Sequence, residues 1–394
     1  MKILMLTPYV PYPPSSGGQI RTLNLLKYLS KKNQITLVCL YKNAEEKKYV
    51  KNLYQYCQKI YPCPRPKEPW QLKTVFKTIF STLPFLIVRN YSLKAKQTIE
   101  KLLKKEKFDV IHAETFYVMP HLPNTKIPII LVEQTIEYRV YQHFVNSLFF
   151  LFRPFFYFDI LKLKFWERFY WRKANIVASV SKTDEENIKK LEPNLKTVII
   201  PNGAGDEMIV KTLPKKNLEK PVLLFQGNFY WLQNIEAANF LTKKIYPLLK
   251  KTIPKIKLII SGQKAYQIKK EKDIEIINLD LNQTKLVKKI YQKATIFIAP
   301  IFGPGGTRLK ILAAMASGVP VVSTKTGVEG LEIKDSVHVI LAEKPEDFVE
   351  KIKLLLSNKN LYLKIQNNAY QLIKNYYNWE SIAKKLEKIY EKMI

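Results

Sequence analysis

Short runs of consecutive apolar residues recur along this chain, each followed by a stretch with helical spacing. That alternation restricts the fold more than any other feature. Lys2 to Thr7 is the first run and stops at Pro8. A Pro/Ser/Gly loop up to Gly18 then leads into an amphipathic pattern through Ile20, Leu23, Leu25, Leu26 and Leu29, and residues 35–40 form the next run. Unbroken apolar runs suit strands covered on both faces, and a strand–helix–strand order implies a parallel sheet with crossover helices. Runs at 109–112, 127–132, 175–180 and 197–200 extend this first half. After a turn at Pro201-Asn202-Gly203 the signature restarts at 222–225 and repeats at 257–261, 274–277, 296–300 and 319–323. The expectation is an α/β protein with two Rossmann-like halves, and two domains fit 394 residues at roughly 150 each. Ligands of such sheets bind at the carboxyl ends of the strands, here in a cleft between the halves.

Charge and small motifs narrow the function. Lys and Arg number 65 against 33 Asp and Glu, a net charge of +32, which attracts nucleic acid, anionic lipid or phosphorylated ligands. No run of five like charges occurs, so there is no basic tail, and no recognition motif supports a nucleic-acid partner. Cys39, Cys57 and Cys63 match neither a zinc nor a redox spacing, and no two histidines are spaced as a metal pair, so no metal is expected. A Gly-x-Gly-x-x-Gly after the first strand, a Walker loop and a Gly-x-Ser-x-Gly elbow are all missing, which disfavours a nicotinamide enzyme, a P-loop ATPase and a serine hydrolase. The N-terminal apolar run is too short for a signal peptide, and no run of about 18 uncharged apolar residues exists. The expected location is the cytoplasm, with peripheral attachment to the inner face of the cell membrane through residues 144–173. There Phe149, Phe150, Phe158, Phe165 and Trp166 mix with Arg153, Lys162, Lys164, Arg172 and Lys173. Aromatic and basic residues in this mixture suit an anionic membrane surface. A helical pair packed on the first half, with lysine stems lying along it, accounts for the same pattern.

The most informative segment runs from Pro300 to Leu331. An apolar run ends at Pro300, and Gly303-Pro304-Gly305-Gly306-Thr307 opens a helix with apolar residues at Leu309, Leu312 and Met315; Gly318-Val319-Pro320 stops it. A glycine turn at a helix N-terminus presents free N–H groups and the positive end of the dipole, which suits a diphosphate. Arg308 and Lys310 add cationic donors.

This segment, with its Gly-Thr-Arg-Leu-Lys-Ile-Leu run at 306–312, resembles the donor-binding region of the retaining glycosyltransferases of family 4 (glycosyl transferases group 1). Thr7 to Asn24 with Gly17-Gly18, Leu83-Pro84, Arg89-Asn90-Tyr91, Ser179-Val180-Ser181 with Asp184, and Phe225-Gln226-Gly227-Asn228 with Trp231 and Asn234 match it in order. So do Gly327, Glu329, Gly330, Leu331 and Asn378-Trp379-Glu380-Ser381. The resemblance implies the GT-B fold, two Rossmann-like domains facing a central cleft. Residues 1–200 would be the acceptor-side domain, 201–377 the nucleotide-sugar-binding domain, and the 378–394 helix would pack back on the first. It implies a nucleotide-diphosphate sugar as donor, a glycan or lipid-linked acceptor, retention at the anomeric carbon, and neither cofactor nor metal. Arg308 and Lys310 would neutralise the leaving diphosphate. Gly17, Gly18 and Gly227 would admit the donor phosphates to the backbone, with Asn228, Gly305, Gly306 and Thr307 beside them. His112, at a strand end, would contact sugar or acceptor, and Glu137 would face the acceptor. One position departs: Ala313 stands where the family carries the glutamate that holds the ribose. A buried hydrogen-bond partner lost there costs about 1–3 kcal/mol. Glu329 is the expected substitute, and the alternative is a non-catalytic partner subunit with a decayed donor site.

Overall fold

A computed structural model describes residues 1–68, 71–271, 273–280, 283–303 and 307–394, apart from the side chains of residues 73, 152 and 155. The chain divides into two compact units, Met1–Pro201 with Ile382–Ile394, and Asn202–Ser381.

In the first unit the strands are β1 (Lys2–Thr7), β2 (Gln34–Tyr41), β3 (Lys59–Pro64), β4 (Val110–Glu114), β5 (Ile129–Glu133), β6 (Ile176–Ser179) and β7 (Thr197–Ile199). All pair in parallel in the order β3-β2-β1-β4-β5-β6-β7. Every residue of β4 and β5 is buried. That explains the unbroken apolar runs, because helices cover both faces. The sequence pattern does not reveal β3, which carries Pro62 and Pro64. A proline cannot donate to a ladder, so such a strand belongs at an edge, and β3 pairs with β2 alone.

The second unit holds β8 (Val222–Gln226), β9 (Lys257–Gly262), β10 (Ile274–Asn278), β11 (Ile296–Ala299), β12 (Val321–Ser323) and β13 (Ile340–Leu341). These are again all parallel, in the order β10-β9-β8-β11-β12-β13. The expected strand at 319–323 begins two residues late. Gly318 N–H donates to Met315 O and Val319 N–H to Ala314 O, a left-handed cap closing the Leu309–Ala316 helix. Pro320 then has no N–H to give β11 or β13.

Strand order reverses between β1 and β4 in one sheet and between β8 and β11 in the other. The carboxyl ends of those four strands are where such sheets hold ligands. Cys39, Cys57 and Cys63 are free and buried. No helix among the described residues is long and apolar enough to cross a membrane.

Gly318 has φ +65°, and a Cβ there would lie 2.8 Å from the Pro214 ring. Left-handed backbone costs an ordinary residue about 1–2 kcal/mol. Gly318→Ala is therefore expected to lower unfolding free energy by at least that much in a urea titration. A midpoint equal to wild type would show that the cap does not constrain the helix end.

Candidate active site

At the carboxyl ends of β8 and β11 the second unit gathers several of the expected residues around one side chain, Asn234. Its amide nitrogen donates to Asn228 O at 2.7 Å, and its amide oxygen accepts from the Lys310 ammonium. Gly227 is the residue that makes room, since a Cβ there would sit 3.0 Å from Asn234 Cγ. Close by, Gly262 has φ +147°, and a Cβ would fall 1.6 Å from the Gly227 carbonyl oxygen. The β8 and β9 ends thus meet backbone to backbone. Asn228 Nδ2 donates to Gln263 Oε1 and Asn228 Oδ1 accepts from Tyr230 N–H. The buried Tyr291 hydroxyl lies 2.6 Å from Gln226 Oε1 and 3.2 Å from Lys310 O, which fixes the first turn of the Leu309–Ala316 helix. Arg308 is the N-cap of that helix, and its Nη2 donates to Gly303 O at 2.7 Å. Thr307, one residue earlier, is buried. Lys310 also lies over the Phe225 ring, 5.1 Å from its centroid. Burial, followed by the Arg308 cation, pulls the Lys310 ammonium down to about 7. Glu329 follows the Thr326–Val328 turn, and Ala313 packs against the core of this unit. Gly305 and Gly306 lie outside the described residues.

The remaining expected residues belong to the first unit. Gly17 and Gly18 begin the Gly17–Leu29 helix, whose N-cap, Ser16, makes no side-chain cap bond. A Cβ at Gly18 would meet the Tyr9 hydroxyl at 2.5 Å. That hydroxyl also accepts from Gln134 Nε2, which donates to Glu114 Oε2 at 2.6 Å. Glu114 ends β4 and is fully buried. Its Oε1 lies 3.4 Å from Arg21 Nε and 3.0 Å from His112 Nε2. Burial raises its pKa, but the Arg21 charge and the His112 hydrogen bond outweigh it and hold the carboxyl at about 2. His112 Nδ1 lies 2.5 Å from the Tyr390 hydroxyl. His112 is therefore fully enclosed, with both ring nitrogens engaged inside the unit. Arg21 also donates through Nη1 to Ile200 O and Pro201 O, each at 3.1 Å. Arg21 was not picked out from the sequence. The available signal is a basic residue inside the apolar stripe of the first helix.

Glu137 joins a second cluster. It opens the Glu137–Ser147 helix and accepts from Thr135 Oγ1 at 3.0 Å, with Tyr117 as a further partner. Glu167 caps the same helix end, accepting from Glu137 N–H at 2.8 Å and Tyr138 N–H at 3.1 Å. Glu133, at the end of β5, accepts from the Trp171 indole at 2.8 Å. Burial, then the charge of neighbouring carboxylates, pushes Glu133 well above the usual range and Glu167 up to about 8. Among the described residues, no group of three or more His, Cys, Asp or Glu is arranged to hold a metal ion.

The folded chain thus keeps a proton on Glu167 from the ordinary value of 4.5 up to about 8, while the unfolded chain has released it. Stability therefore falls as pH rises across that window. Glu167→Gln is expected to flatten this slope in denaturant titrations near pH 5 and pH 8. An unchanged slope would remove Glu167 as its source.

Two family models match the chain: Glycosyltransferase Family 4 over residues 15–207 and Glycosyl transferases group 1 over residues 220–358. An "Uncharacterized 44.6 kDa protein in cps region" of Klebsiella pneumoniae is 24% identical, covering 97% of each chain. Sucrose-phosphate synthase of Thermosynechococcus elongatus superposes with a TM-score of 0.73 at 13% identity, over 100% of this chain and 98% of that one. A variant of S. aureus TarM, solved with fondaparinux, alpha-GlcNAc-glycerol and UDP, superposes at 0.68 and 14% identity, over 99% and 100% of the two chains. With two parallel α/β units and these two models in tandem, the chain is a glycosyltransferase of the GT-B fold, a Family 4 domain followed by a group 1 domain.

Proposed function

We propose that this chain transfers a sugar from a nucleotide-diphosphate donor to a glycan or lipid-linked acceptor, with retention at the anomeric carbon. The observation that carries the reading is the pair Arg308 and Lys310 at the N-terminus of the Leu309–Ala316 helix, at the strand-order reversal of the second sheet. Two cations beside each other at the positive end of a helix destabilise the fold, and a diphosphate there relieves both penalties. Lys310 is aimed by Asn234 and anchored through Tyr291, so it is oriented before any ligand arrives. As the bond from the anomeric carbon to the diphosphate oxygen breaks, negative charge grows on the leaving group. A guanidinium fork and an ammonium stabilise that charge most where it is greatest, which is transition-state stabilisation. This chemistry asks for no metal, because the protein's own cations meet the charge. His112, enclosed by Glu114 and Tyr390, serves to hold the β4 end. The UDP in the TarM complex supports a nucleotide donor, and the alpha-GlcNAc-glycerol in the same complex supports a hydroxyl acceptor.

Ala313 favours a second reading, a partner subunit that no longer binds donor. Thermal unfolding with UDP, GDP, ADP and TDP separates the two. A nucleotide at 100 times its dissociation constant adds about 2.7 kcal/mol. One nucleotide is expected to shift wild type and to leave Lys310→Ala unmoved. A shift seen only in Ala313→Glu would favour the partner subunit, and silence from every protein would remove the donor site.

Lys310 supplies a further check. Its ammonium titrates at about 7, and an anion binds the protonated form, so nucleotide binding takes up a proton above that pH. Affinity is expected to fall between about pH 7.5 and 9.5, above the nucleotide's own second ionisation at roughly 6. Titration calorimetry that finds a pH-independent affinity over that range would exclude Lys310 from the phosphate contact.

A further inference from the structure

The Leu72–Ile79 helix has its faces reversed. Its threonines point inward, Thr74 at 5% and Thr78 at 9% exposure. Its large apolar side chains point outward, with Leu72 at 77%, Phe76 at 59%, Ile79 at 62% and the following Phe80 at 80%. An amphipathic helix normally buries its apolar stripe. The Arg153–Lys173 helix beside it explains how this one is held. Asp159, Lys162 and Trp166 share one face by their spacing, and each grips the chain around 78–85. Lys162 Nζ donates to Thr78 O and Ser81 O, both at 2.7 Å, and Trp166 Nε1 donates to Thr82 O at 2.8 Å. Asp159 accepts from Phe85 N–H at 3.0 Å. One residue back, on the adjoining face, Phe158, Leu161 and Phe165 are 57–65% exposed. The latch therefore sets two exposed apolar faces side by side.

We propose that this two-helix face docks on an anionic phospholipid bilayer. No acid occurs between residues 71 and 90, and the two within 144–173, Asp159 and Glu167, are buried. The exposed charges of both segments are thus cationic, with Lys77 and Lys173 exposed, Lys162 and Lys164 partly so, and Arg172 exposed but paired with Glu192 Oε1 at 3.1 Å. Lys162 lies 4.9 Å from the ring centroid of the exposed Phe158, so a cation sits at the aromatic layer. Protruding aromatic side chains ringed by lysines lie in the plane of a membrane interface and draw on anionic headgroups. The segment expected from sequence to meet a membrane was 144–173. The 72–80 stretch belongs to the same surface.

The inference stands apart from the donor-site reading, and vesicle flotation tests it without nucleotide. The protein is mixed with phosphatidylcholine vesicles, with or without phosphatidylglycerol. Wild type is expected to bind the anionic vesicles at least about tenfold more strongly, with binding weakened by salt. The doubles Phe76→Ser/Phe80→Ser and Phe158→Ser/Phe165→Ser are expected to lose about tenfold of that binding while their unfolding midpoints stay at or above wild type. Lys310→Ala is expected to bind vesicles normally, so loss of the donor site and loss of the docking face read out separately. Equal binding to both vesicle types, full binding by the folded doubles, or a dimer in light scattering that the same substitutions dissolve would each overturn the proposal.

Discussion

The first unit depends on one buried carboxylate. Glu114 ends the strand at which sheet order reverses, and it stays ionised because Arg21 and His112 reach it directly. Removing one partner of a buried pair typically costs about 3–5 kcal/mol, since a charge is left uncompensated. More hangs on Glu114 than its own energy. Arg21 carries the carbonyls of Ile200 and Pro201, the last residues before the chain leaves this unit. His112 carries Tyr390, in the segment that returns to it. Gln134 connects the carboxylate to Tyr9 and so to the glycine start of the first helix. One anion therefore sets the positions of four elements far apart in sequence.

The second unit is built on the opposite electrostatic logic. In the first unit positive and negative charges meet inside the protein and cancel. Around Asn234, the charges that meet are both positive, and the neighbours of Lys310 are an amide oxygen, an aromatic face and another cation. An arrangement that raises the energy of the empty protein lowers that of a complex with an anion, and this is the physical basis for reading one cluster as scaffold and the other as site. Gly227 and Gly262 belong to the same logic. Their missing side chains bring backbone to backbone and let Asn234 reach the lysine.

Much of the fold was legible because parallel strands buried on both faces read as unbroken apolar runs, so eleven of the thirteen strand cores among the described residues stand out without any partner information. What escaped has a specific cause in each case. The prolines of β3 disguise an edge strand, and β13 is two residues long. The 306–312 run pointed to Arg308 and Lys310 because local chemistry, glycine turn then cations at a helix start, is written in consecutive residues. Arg21 was missed because its partner lies 93 positions away. His112 was legible as a residue at a strand end but not as an enclosed one, since the tyrosine that covers it is 278 positions distant. The 72–79 helix shows a clear apolar period, yet a period says only that a helix has a greasy side. Which way that side turns is decided by Lys162, a residue on another helix.

The first unit is discontinuous: residues 382–394 complete it after the whole second unit has intervened. Ile382, Leu386 and Tyr390 are buried there, and Glu387 accepts a hydrogen bond from Asn33 Nδ2 at 2.7 Å. On the ribosome, then, the part of the protein made first is the part finished last. Its sheet emerges early but must wait, with the His112 pocket open, while the second unit is synthesised and folds. Quality control at the level of the cell has a simple handle in this order. A message that ends early leaves the trailing unit nearly whole and the leading unit exposed, so the damage from a late truncation appears at the beginning of the chain.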